Sequence, residues 1–188
     1  MELIEGLLIK SRRWFMKTNI LKPLKQIIKQ GSGISADFAN IRNEIHETKM
    51  LAASFLINQM KFQDIYENIQ HAEFKVSSQF GEDGIIQYLV HHLGIETKTF
   101  IEFEVENYTE SNTRFLLMNN NWKGLVIDGS KENIDYIKND SIYWKYDLTA
   151  TCAFVDKENI NNIFLENNFS GEIVLLSIDI DGNDYWIW

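Results

Sequence analysis

Four acidic residues lie in or directly after short apolar runs of this sequence. Glu102 belongs to the first run, and Asp128, Asp147 and Asp179 close the next three. If these runs are parallel strands, their carboxyl ends meet at one edge of a sheet and the four carboxylates converge there. Carboxylates in such positions accept hydrogen bonds from ribose hydroxyls and amino groups. The pattern therefore predicts a pocket for a nucleoside-bearing ligand.

The central segment, Thr99–Ser130, has the pattern of a strand, a polar loop, a helix and a second strand. Thr99–Val105 alternates apolar and acidic residues, which predicts a strand with one solvated face. Ser111 or Asn112 is placed to cap the helix, and a run of three asparagines ends it. The apolar run Gly124–Asp128 suits a buried parallel strand. Such a unit places its first loop beside the end of its second strand, where open α/β sheets bind ligands.

Two further strands complete the predicted sheet. The alternating segment Ser141–Tyr146 predicts a third strand that ends at Asp147, and the apolar segment Glu172–Ile178 predicts a fourth that ends at Asp179. Helical periodicity predicts helices over 85–93, 131–139 and 159–167. The predicted fold class is therefore α/β, with a partial Rossmann-like sheet of four mostly parallel strands and helices over residues 74–188.

Residues 1–73 are predicted to form a long α-helical N-terminal extension. Residues 1–30 carry a basic cluster, and a basic amphipathic helix there would either lie on a membrane surface or pack against the body or a partner. From residue 34 to residue 69, alternate steps of four and three define a heptad seam that either packs on its own domain or pairs with a second copy. The seam positions are Ile34, Phe38, Ile41, Ile45, Thr48, Ala52, Phe55, Gln59, Phe62, Tyr66 and Ile69.

Composition and charge exclude several classes of function. The net charge of −9 leaves no basic surplus to neutralise phosphates, so we expect no nucleic-acid partner. No apolar run has the length of a transmembrane helix, and the single cysteine, Cys152, excludes an internal disulfide and a cysteine-only zinc site. The acidic loop 179–184 offers oxygen ligands but lacks the glutamate of an EF-hand, so a strand-end turn is favoured over a metal site. We expect a cytoplasmic protein without a metal.

Over residues 77–188 the chain resembles the FkbM-type methyltransferases, a branch of the Rossmann-like methyltransferases that use S-adenosylmethionine. Several separated motifs occur in the order of that family. They are Ser78–Gly84, Phe100–Phe103, Glu106 with Asn107, Glu110–Thr113, Trp122–Gly129 and Leu176–Trp186.

The resemblance implies S-adenosylmethionine as the methyl donor and a sugar or other small hydroxyl compound as the acceptor. Asp128 would bind the ribose, Asp147 would face the adenine, and Asp179 would lie near the transferred methyl group. Asp179 or Asp181 is the candidate base. The remaining implied donor-binding residues are Gln79, Glu82, Glu102, Val105, Asn107, Ser111, Asn112, Thr113, Gly129 and Ser130.

Two features depart from the family pattern. This chain has Glu104 where the family has a glycine that permits a turn and close approach of the ligand, and a side chain in a left-handed conformation costs about 1–2 kcal/mol. The chain also stops at Trp188, where the family continues, so a C-terminally truncated domain is expected. The alternative function is therefore a catalytically inactive, methyltransferase-like scaffold that self-associates through its N-terminal helices.

Overall fold

The computed structural model describes residues 34–62 and 68–179. The chain divides into two compact units, Met1–Thr48 and Lys49–Trp188. The basic segment 1–30, Tyr66 of the seam and Asp181 lie outside the described residues. Among the helices of the described ranges, none combines the length and the apolar character that a bilayer crossing requires.

The predicted α/β class is confirmed. All four strands are parallel, and β1 is central between β2 and β4 in the order β3-β2-β1-β4. The strands are β1 (Thr99–Phe103), β2 (Lys123–Asp128), β3 (Leu148–Cys152) and β4 (Leu175–Ser177). The helices are α1 (34–60), α2 (Glu82–His92), α3 (Arg114–Asn120), α4 (Lys131–Asn139), α5 (Ser141–Lys145) and α6 (Ile160–Glu166), with a 3₁₀ turn at Ile69–Ala72.

Each face of the sheet buries its own apolar cluster. Phe100 and Val126 belong to one cluster, whereas Ile101 and Leu125 belong to the other. Parallel strands covered on both faces leave no solvated side. Glu102 is accordingly only 4% exposed, so the solvated strand face predicted for it is wrong.

The predicted third strand is also wrong. Ser141–Lys145 is the short helix α5, because the Asp140 side chain accepts a hydrogen bond from Ile142 N at 2.9 Å and caps it. The strand is the following segment, β3, so Asp147 precedes it instead of ending it. The Asp147 carbonyl accepts a hydrogen bond from Gly124 N at the start of β2. Asp147 therefore lies at the amino edge of the sheet, opposite the predicted pocket.

The part of α1 that belongs to the second unit, residues 49–60, packs within that unit through a face other than the heptad seam. Ala53 joins a buried cluster with Val76 and Phe115, and Met60 joins another with Ala72 and Tyr88. The seam residues that the structure describes are exposed instead. For the seam residues of the second unit, Phe55, Phe62 and Ile69, the alternative in which the seam packs on its own domain is therefore wrong. The exposed large seam side chains are Ile34, Phe38, Ile41, Ile45, Phe55, Phe62 and Ile69.

Candidate functional site

A cleft of about 220 Å³ opens at the carboxyl ends of β1 and β4, and we call it the β1–β4 cleft. Its walls come from β1, from the loop between β1 and α3, from the loop before α2 and from Asp179, two residues after β4. Six predicted site residues therefore come together in one place: Gln79, Glu102, Val105, Ser111, Asn112 and Asp179. The other lining residues are Glu104, Glu106 and Glu110.

Glu102 organises the loop that leads into α3. Its carboxylate accepts hydrogen bonds from the hydroxyls of Ser111 and Thr113 and from the backbone N–H groups of Asn112 and Thr113. Ser177 Oγ on β4 donates a further bond at 3.3 Å. Burial raises the pKa of Glu102, and the hydrogen bonds that favour the charged form only partly offset that effect. The predicted donor-binding set Ser111–Thr113 is thus held together by one buried carboxylate.

The loop after β1 contains three left-handed residues at alternate positions. Glu104, Glu106 and Tyr108 have φ angles of 53°, 48° and 61°. Position 104, where the resembled family has a glycine, is thus left-handed in this chain, and that conformation costs about 1–2 kcal/mol for a residue with a side chain. Neighbouring contacts hold the loop in place: Glu104 N donates to Ile127 O at 2.9 Å, and the fully buried Tyr108 hydroxyl bonds Thr113 Oγ1 at 3.0 Å.

Asp128 ties this loop to the start of α4. One oxygen accepts a hydrogen bond from Glu106 N at 2.8 Å, and the other accepts from Ser130 N and Asn133 Nδ2. Ser130 in turn caps α4 by accepting from Asn133 N. Asp128 is only 4% exposed and, like Gly129 and Ser130, does not line the cleft. These three residues lie behind the cleft wall, toward the end of β2.

Asp83 is a residue of the site region that sequence analysis missed. One carboxylate oxygen accepts hydrogen bonds from the backbone N–H groups of Val76, Ser77 and Ser78 at 2.7–2.9 Å. Asp83 is 1% exposed, and its Oδ1 has no hydrogen-bond partner within the described ranges. Asp83 therefore fixes the loop that carries Gln79 to the cleft. Two serines followed by an acid at a helix start were the only signal in the sequence.

The other predicted site residues make local contacts away from the cleft. Glu82 accepts a hydrogen bond from Phe80 N, and Asn107 accepts two from Thr109. Asp147 is at the opposite edge of the sheet, as described above. These contacts shape loops and do not place the side chains in the cleft wall.

The cleft is strongly acidic. Five carboxylates line it, and the Lys75 ammonium lies 3.3 Å from one of them, that of Glu110. Within residues 34–62 and 68–179, no group of three or more His, Cys, Asp or Glu side chains is arranged to hold a metal ion. A cleft of this charge favours a ligand that carries positive charge.

Comparison with protein-family models, with curated proteins and with solved structures finds no match to this chain. The resemblance to the FkbM-type methyltransferases therefore depends on the motifs quoted above.

Proposed function

We propose that this chain is an S-adenosylmethionine-dependent O-methyltransferase that acts in the cytoplasm on a sugar or another small hydroxyl compound. The observation that carries the proposal is the β1–β4 cleft. It lies at the carboxyl edge of a parallel sheet, with the loop after the first strand in its wall, and open α/β sheets bind ligands at that edge.

The charge of the cleft suits the proposed donor, which carries a sulfonium and an ammonium group. Glu102 and Asp179 both line the wall, one in β1 and the other after the neighbouring strand β4. The cleft volume of about 220 Å³ is below the ~300–1,000 Å³ of ordinary ligand pockets. The described cleft therefore fits the amino-acid end of the donor, and the nucleoside would extend toward the end of β2.

At that end, Asp128 and Phe154 are the residues available to the nucleoside. Asp128 already accepts three hydrogen bonds, so a ribose hydroxyl would use the remaining lone pair of Oδ2 or displace Glu106 N. Phe154 is 81% exposed, and its ring covers Gly129, where an added Cβ would meet ring carbon Cε1 at 2.6 Å. We assign the adenine contact to Phe154, in place of Asp147.

The donor would supply an activated methyl group, and the contribution of the chain is mainly to position the acceptor for in-line attack. The donor would give its methyl carbon to the acceptor oxygen, and its sulfur would keep the electron pair of the broken carbon–sulfur bond. Asp179 is exposed and lines the cleft, and this carboxylate would take the hydroxyl proton.

A second candidate function is a catalytically inactive, methyltransferase-like scaffold. Glu104 favours it, because this exposed residue places a further carboxylate in the cleft wall, where the donor's own carboxylate would lie. A scaffold of this kind would bind no donor and would act through self-association.

Calorimetric titration of S-adenosylmethionine into the full chain tests the proposal. We expect measurable binding, a gain in affinity for Glu104→Gly, a loss for Asp179→Asn, and no change for the matched control Asp147→Asn at the opposite edge. Transfer of a labelled methyl group to a panel of sugars and small alcohols then tests the chemistry. No binding by either the wild type or Glu104→Gly would contradict the donor site and favour the scaffold.

A further inference from the structure

Helix α1 has a second apolar face that the described part of the chain leaves exposed. The face repeats at a and d positions of a heptad, with Phe38 64% and Phe55 71% exposed. Its large apolar members are Ile34, Phe38, Ile41, Ile45 and Phe55. We propose that this seam pairs with the seam of a second copy of the chain, parallel and in register, as a two-stranded coiled coil.

The charges beside the seam select a second copy in parallel orientation. Asp37 and Glu44 occupy g positions, directly before the a positions, and Arg42 and Lys49 occupy e positions, directly after the d positions. In a parallel pair each g residue faces the e residue five positions further along the other helix. Asp37 then faces Arg42 of the second copy, and Glu44 faces Lys49. By symmetry the pair gains four attractive contacts.

The antiparallel arrangement pairs no opposite charges. It places g opposite g and e opposite e, and within α1 no g position carries a base and no e position carries an acid. An antiparallel pair therefore lacks the four attractive contacts that favour the parallel orientation. Neither of the two ion pairs found in the described part of the chain, Lys75–Glu110 and Lys157–Glu158, uses these four charges. They are therefore available to a second copy.

Pairing leaves the packing of residues 49–60 of α1 within the second unit intact. The residues that pack there, Ala53, Ile57 and Met60, occupy b and f positions, on the side of the helix opposite the seam. In the same stretch, the g and e positions are the exposed Leu51 and Leu56. Apolar residues there extend the contact surface of the seam beyond its a and d positions. The inference does not depend on the proposed methyl transfer, because no seam residue lines the β1–β4 cleft.

Sedimentation equilibrium of the full chain tests the pairing. We expect twice the 22.0 kDa mass of one chain. Arg42→Glu with Lys49→Glu, and separately Asp37→Lys with Glu44→Lys, should each weaken association by about tenfold or more. An equimolar mixture of the two double variants should restore it. A single-chain mass at every concentration, or a three-chain mass, would overturn the proposal.

Disulfide trapping tests the orientation in a Cys152→Ser background. Ile41→Cys occupies a d position away from the centre of the helix, so oxidation should link two chains only if the helices are parallel and in register. The matched control, Asn43→Cys, is at an exposed f position on the outer face and should remain unlinked. Equal linking of both variants, or linking of Asn43→Cys alone, would overturn the assignment.

Discussion

Replacement of Glu104 by glycine should stabilise the protein, although it removes a side chain. The φ angle of 53° places this residue in the left-handed region, which costs about 1–2 kcal/mol for a residue with a Cβ atom. Glycine removes that cost but increases the backbone entropy of the unfolded chain, which lowers the free energy of unfolding by about 0.5–1 kcal/mol. We therefore expect Glu104→Gly to raise the free energy of unfolding by about 0.5–1 kcal/mol.

Urea unfolding followed by tryptophan fluorescence measures this change, since the Trp122 side chain is buried in the core and reports on global unfolding. The urea concentration at the midpoint of unfolding should rise, and the dependence of the free energy of unfolding on urea concentration should stay unchanged. The thermal midpoint should rise by about 1–4 °C. These two shifts are small but within reach of paired measurements on the same day and buffer.

Glu104→Ala is the matched control, because it removes the same charge but keeps the Cβ atom. If backbone strain is the cause, alanine gives no comparable gain. Glu106→Gly, at a φ angle of 48°, should stabilise in the same direction. Equal gains from Glu104→Ala and Glu104→Gly would refute the strain argument and assign the effect to repulsion among the cleft carboxylates.

Three further predictions concern the residues that support the cleft. Because burial raises the pKa of Glu102 above its ordinary 4.5, the native state holds the proton to higher pH than the unfolded chain. The free energy of unfolding should therefore fall as the pH rises from 4.5 through the raised native pKa, by at most about 1.4 kcal/mol per pH unit. Urea titrations at several pH values measure this dependence, and Glu102→Gln should make it weaker. Asp83→Ala should lower the free energy of unfolding by about 3 kcal/mol or more, because three buried N–H groups of residues 76–78 lose their acceptor. Asp83→Asn keeps an acceptor oxygen and should lower it by less. Equal decreases for the two variants would contradict this account. Gly124→Ala should lower the free energy of unfolding by about 1–3 kcal/mol, because the new Cβ would lie 2.1 Å from the Phe100 ring, and an unchanged thermal midpoint would show that the ring moves freely.

Hydrophobic pattern was sufficient to predict the central unit of the sheet. The apolar runs of β1 and β2 and the asparagines at the end of α3 each carry a strong local signal, and Asn121 does end that helix in a left-handed conformation. The prediction of the third strand was wrong because the sequence of the real strand carries only a weak β pattern. β3 consists largely of threonine and alanine, whereas the alternating Ser141–Tyr146 segment is converted to a helix by a single cap at Asp140. The third strand was therefore predicted one element too early, and Asp147 was assigned to the carboxyl edge of the sheet although it lies at the amino edge.

The environment of Glu102 could not be predicted from its neighbours in sequence. Alternation with Ile101 and Phe103 indicates a solvated face, but the contacts that bury the carboxylate come from residues 111–113 and from Ser177, which are distant in the chain. The role of Asp83 was hidden for a related reason. An acid in the first turn of a helix is explained adequately by the helix dipole, so nothing local indicated that it also binds the preceding loop.

The central claim is that the β1–β4 cleft holds the amino-acid end of S-adenosylmethionine, and amide chemical-shift mapping during titration with the donor tests it most directly. We predict that the largest shifts fall on Glu104, Ser111 and Asn112 and that Asp147, at the opposite edge of the sheet, stays unchanged. Shifts that cluster around Asp147, or no shifts at saturating donor, would contradict the account.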